Sequence, residues 1–183
     1  MAKMAPYLNP PDQGAQLAWL TQRLLVVSEQ AVDGLSREQF NDTFGEKTNS
    51  VAFAVWHVVR TVDNVTHFVF EREQPVWLQQ HFDEQWHLPK VNQVTGQPSE
   101  DAFALQFPEP EEFKRYISAV SDAVLPRIAA MSEAYLAERV SIKPWGEVLR
   151  SEAIGFGFIA HGNGHLGRVG LARTLWGLPG LPY

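Results

Sequence analysis

Four stretches of this chain repeat apolar residues every three or four positions for about twenty residues each, and that period leaves room for little but long amphipathic helices. The first runs from Asp12 to Asp33, with Leu17, Leu20, Leu24, Val27 and Ala31 on one stripe. Asp12 is placed to cap its start and Gly34 to end it. A short turn follows, where Ser36 and Gln39 have the spacing of a capping box. The second helix is predicted from Asn49 or Ser50 to about Glu73, ahead of Pro75. Its run Val51–Val59 would also suit a buried strand, but the absence of any turn signal over so long a stretch decides for helix. Phe53, His57, Asn64 and Phe68 fall close to one line, with Thr61 between.

The third helix starts at Pro110, a good first-turn residue, followed by Glu111 and Glu112, which favour the positive helix start. Phe113, Ile117, Val120, Val124, Ile128 and Met131 form its inward stripe, and Pro126 within it predicts a kink, not a stop. The fourth is predicted over Glu147–Leu175, ended by Gly177 and Pro179. Between the second and third, residues 75–109 are broken by Pro75, Pro89, Pro98 and Pro108. A structureless connection of that length does not suit a compact domain. A short helix over about Val76–Trp86 and then an extended crossover are expected, packed down by Trp77, Phe82, Trp86, Phe103 and Phe107. The reading is an all-α four-helix bundle, one domain over residues 1–183.

Composition narrows the partners. The formal net charge is −6 with no Lys/Arg cluster, which argues against nucleic acid. No apolar run reaches membrane-span length, and Met1–Tyr7 lacks the apolar core of a secretory signal, so a cytoplasmic protein is expected. There is no cysteine, so any metal must rest on His, Asp, Glu or water.

His161 and His165 stand four residues apart in the fourth helix, so both imidazoles leave one face. With six histidines in the chain, about 0.2 such pairs are expected by chance, and the spacing alone is weak. A third donor, His57, sits among apolar neighbours on a helix facing the same core. Three converging imidazoles would make a metal site with an open position. The carboxylates are poorly placed to help. Gly162 stands where helical zinc proteases carry their glutamate, Glu152 points to the opposite side, and Asp63 lies roughly 120° around its helix from His57. Glu147 and Glu71 share the right faces but sit about 21 Å along their axes. Arg168 is a candidate for holding a substrate anion and Asn64 for a substrate contact, although a surface ion pair and a buried amide explain them equally well. His67 points about 80° away from His57, while His81 and His87 read as surface residues. One or two of the tryptophans could wall a pocket. Glycines 155, 157, 162, 164, 167 and 170 each cost about 0.5–1 kcal/mol in a helix interior. They imply close approach by another helix, a partner chain or a ligand.

Ser50–Val58 in the second helix, His161–Arg168 in the fourth and the closing Leu175–Gly180 together resemble the DinB/YfiT-like superfamily over nearly the whole chain. The resemblance implies an up-down-down-up bundle, often dimeric, with a divalent ion on His57, His161 and His165. Zinc, nickel and iron all suit such a donor set. It also implies a metal-dependent enzyme, a thiol-dependent transferase using a low-molecular-weight thiol or a hydrolase, acting on a small-molecule substrate. The competing reading is a non-catalytic metal- or small-molecule-binding homodimer. One departure bears on thiol chemistry: Leu166-Gly167-Arg168 follows the last histidine where a common form of the motif has Arg-Gly-Gln.

Overall fold

The computed structural model describes residues 10–96 and 99–182, and helices dominate it. Asp12 opens α1 (Gln13–Val32) by accepting the Ala15 N–H at 2.8 Å, and Gly34 at φ 72° turns the chain away. α2 (Arg37–Asn41) carries the reciprocal cap read from its sequence: Gln39 N–H to Ser36 Oγ at 3.2 Å and Ser36 N–H to Gln39 Oε1 at 3.1 Å. α3 (Val51–Asn64) starts at Ser50, whose hydroxyl accepts the Phe53 N–H at 3.1 Å. All residues from Val51 to Asp63 are buried. A helix apolar all round belongs in the interior, and α3 packs against α1, α2, α7 and α10. It passes into π-helical turns over Val65–Val69 and ends at Glu71, two residues short of the expected boundary.

The crossover holds more structure than the sequence suggests. In place of one short helix there are two, α4 (Val76–Gln79) and α5 (Phe82–Trp86), because His81 between them adopts the left-handed conformation at φ 56°. α6 (Ser99–Phe103) follows, while Pro98 and residues 1–9, including the N-terminal segment read for a signal, lie outside the described residues. Trp77, Phe82, Trp86 and Phe107 are buried and Phe103 is half-buried, so the segment does pack down. A polar anchor adds to this aromatic packing. The Asp63 carboxylate, fully buried on α3, accepts the N–H groups of Val76 at 2.8 Å and Trp77 at 2.9 Å and the Tyr116 hydroxyl at 2.8 Å. An anion at the start of α4 satisfies N–H groups that the helix itself leaves free.

α7 (Pro110–Ala129) has Pro110 in its first turn and runs through Pro126, with the predicted stripe from Phe113 to Ile128 buried. It lies close on α1: a Cβ at Gly14 would sit 2.6 Å from the Met131 carbonyl oxygen. After α8 (Glu133–Leu136) the sequence reading needs correction. The fourth helix does not begin at Glu147, because Arg139–Ile142 (β1) and Gly146–Leu149 (β2) pair as an antiparallel hairpin, Arg139 opposite Leu149 and Ile142 opposite Gly146. Pro144 cannot donate to a helix, and Gly146 at φ 79° closes the turn. The helix proper is α9 (Arg150–Glu152), a π-helical stretch over Ala153–Ala160, and α10 (His161–Leu175), stopped at Gly177 with φ 74°.

Candidate metal centre

The interior helix α3 supplies His57, and α10 supplies His161 and His165 one turn apart. Gly162 helps bring them together. A Cβ there would stand 2.9 Å from the Leu24 methyls and 3.3 Å from Val58, so a side chain at this position would make Leu24 shift where α10 lies against α1 and α3. The ring centroids are 5.2 Å apart for His57–His161, 5.0 Å for His57–His165 and 4.6 Å for His161–His165. One nitrogen from each ring lies within 4.8 Å of the other two.

The rings are held neutral. Burial lowers the His57 pKa to about 4, helped by His161 and Arg60 against a hydrogen bond to Gln93. Burial lowers His165 to about 3, with His57, His161 and Arg168 adding to the shift. His161 is lowered too, by burial first and then by Arg168. The Gly157 carbonyl favours its protonated ring, yet the buried Nδ1 of His161 meets no partner in hydrogen-bonding geometry. His57 Nδ1 lies 3.3 Å from the Gln93 carbonyl oxygen. A carbonyl only accepts, so Nδ1 carries the proton and Nε2 keeps its lone pair. Thr61, whose hydroxyl is 3.3 Å from Gln93 Oε1, steadies the same crossover residue against α3.

This donor set fits a divalent ion. Metal–nitrogen bonds of 2.0–2.1 Å in a tetrahedral site put nitrogens about 3.3 Å apart, and Nε2 of His161 and Nε2 of His165 are 3.1 Å apart. Three neutral imidazoles close together could therefore hold a metal ion, and nothing in the geometry chooses which.

Beside the histidines lies a cavity of about 670 Å³, lined in part by His57 and His161. Asn64, Gln93 and Trp145 are among its walls. The Trp145 ring is 6.3 Å from His161 and lies over Gly157, where a Cβ would come within 2.4 Å of the indole.

Residues 20–169 match the family model described as the DinB superfamily. The chain belongs to the DinB superfamily. No curated protein matches it. Among solved structures it is similar to a conserved protein from Enterococcus faecalis, with a TM-score of 0.74 and 19% identity over 87% of this chain and 94% of that one. At that identity the likeness is one of fold alone.

Within this DinB-superfamily chain the remaining candidates divide. Asn64 lines the large cavity with His57 and His161. Arg168 is exposed and lines a separate small recess with His165, Asn49 and Ser50, so these two residues do not face one cavity. His67 is buried, with Nδ1 2.9 Å from an Asp63 carboxylate oxygen, and it plays no part in the triad. His81 and His87 are exposed, as read. Sequence reasoning allowed that a tryptophan walls a pocket without singling out Trp145, and it missed Gln93. The hairpin that carries Trp145 had a signal, the Pro144–Gly146 turn between the β-branched residues Val140, Ile142 and Val148. Gln93 had none, since its role comes from its main-chain carbonyl.

Proposed function

We propose that this protein is a divalent-metal-dependent enzyme that transforms a small molecule at His57, His161 and His165, as a thiol-dependent transferase or a hydrolase. One observation carries the reading: three neutral imidazoles converge, and two of them, His57 and His161, line a cavity large enough for a small ligand. Bound there, zinc, nickel or iron would lower the pKa of a thiol or water, or polarise a substrate oxygen. The chain's part is to hold and orient. The Gln93 carbonyl fixes the His57 tautomer, Trp145 forms part of the cavity wall, and Asn64 offers an amide to whatever enters. Arg168 serves anion binding on the His165 side.

The wider reading includes an up-down-down-up arrangement of the four long helical segments over one domain, a homodimer and a cytoplasmic location. It also includes a low-molecular-weight thiol as co-substrate and no part for nucleic acid. No described helix is long and apolar enough to cross a membrane. A second reading, a non-catalytic metal- or small-molecule-binding bundle, is favoured by one feature. No described carboxylate lines the cavity to act as general base.

Metal analysis of protein purified without a histidine tag tests the proposal. About one divalent ion per chain is expected, lost in the triple His57→Ala, His161→Ala, His165→Ala variant. Metal-free wild type that fails to take up zinc, nickel or iron on addition would overturn it.

A further inference from the structure

The cavity beside the histidines has the opposite charge to the molecule around it. The chain carries a formal net charge of −6, yet among the described residues the cavity's only charged side chains are Arg72 and Lys143. Neither forms an ion pair with a described carboxylate. Arg127 and Arg150, by contrast, are paired with Glu73 and Glu138.

The backbone at Arg72 adds an independent observation. Glu73 N–H reaches the His67 carbonyl at 3.0 Å, and Arg72 N–H bonds to the Phe68 carbonyl at 3.1 Å, the single bond that closes a helix through a left-handed residue. That residue is Arg72, at φ 59°. Glycine is the usual occupant, because a side chain there meets the following carbonyl. Here the chain keeps an arginine whose guanidinium lies 5.7 Å over the Phe68 ring at the cavity. Phe68, half exposed, and Trp145 supply apolar wall.

We propose that this cavity selects a small molecule carrying an anionic group on an apolar body. Arg72 and Lys143 receive the anion, and Phe68 and Trp145 cover the body. This rests on the small-molecule reading above and names its substrate class, while the two cations need no metal to act.

Isothermal titration of zinc-loaded and metal-free protein with 3-phenylpropionate, 3-phenylpropan-1-ol and 3-phenylpropylamine tests it. The three probes share a body and differ in charge. The carboxylate should bind both protein forms about tenfold or more tighter than the alcohol, with the amine weakest, and added salt should shrink the difference. In metal-free protein the double variant Arg72→Gly, Lys143→Met should lose that preference while binding zinc and the alcohol as wild type does. Arg72→Gly alone should raise Tm, since glycine relieves the left-handed position, and retained zinc and alcohol binding shows that the double variant is folded. Absent or equal binding of the carboxylate, or a preference that survives the double variant in metal-free protein, overturns the proposal. A preference present in protein that takes up no metal would sustain it while removing the metal-enzyme reading.

Discussion

His57 and His165 are kept uncharged by burial, with pKa values near 4 and near 3, whereas an unfolded histidine titrates near pH 6.5. Between those limits the unfolded chain takes up protons that the folded chain refuses. Stability is therefore complete above about pH 6.5 and falls as pH drops towards the folded values. For metal-free protein the urea midpoint should fall between pH 7 and pH 5, and His165→Asn should reduce that fall. An unchanged midpoint would contradict the neutral triad. Asp63 is a structural anchor, a carboxylate whose oxygens meet two N–H groups, the Tyr116 hydroxyl and His67 in the core. Asp63→Ala should cost about 3 kcal/mol or more in a guanidinium melt, because it strands buried donors at the start of α4. Asp63 looked unpromising in the sequence because it pointed away from His57, and it does. Its structural role was invisible there, since Val76, Trp77 and Tyr116 reach it from elements thirteen or more residues away.

At the scale of elements, the glycines of the last helix separate into two kinds. Gly162 faces Leu24 and Val58, and a methyl group there must push into a packed interior. Gly164 faces open space, with nothing within 4 Å of its Cβ position. Overpacking costs about 1–3 kcal/mol, whereas alanine in a helix gains about 0.5–1 kcal/mol over glycine. Thermal melts should then show Gly162→Ala destabilised by about 1 kcal/mol, with weakened metal uptake, and Gly164→Ala stabilised by about 0.5–1 kcal/mol. Equal effects at the two sites would contradict this packing of α10. The caps at Asp12, Ser36 and Ser50 were legible because each is settled within three residues of sequence. The hairpin over Arg139–Leu149 had its turn signal overridden, because its strands are short and precede a strong helical pattern that absorbed the second one. The split of α4 from α5 depends on one left-handed residue, His81, which carries no glycine signal.

The whole molecule couples its stability to the site, since residues from α3 and α10 meet only in the folded chain. A ligand bound to the folded state alone at one hundred times its Kd adds about 2.7 kcal/mol. For a chain of this size that is worth about 5–10 °C in Tm. Adding zinc to metal-free protein should raise Tm by that order, a chelator should reverse it, and the triple histidine variant should not respond. A Tm indifferent to zinc would remove the metal from the account.

The chain's own spacing determined where its long helices run, what caps them and which two imidazoles share a face. Those choices are made by interactions within about one turn, between residues close in sequence. Only the tertiary structure decided that His57 meets His161 and His165, that Gln93 orients it, that Trp145 closes over Gly157 and that two cations line an otherwise uncharged cavity. Those contacts join segments far apart in the chain, and close packing between them, as at Gly162 against Leu24, has no period to read.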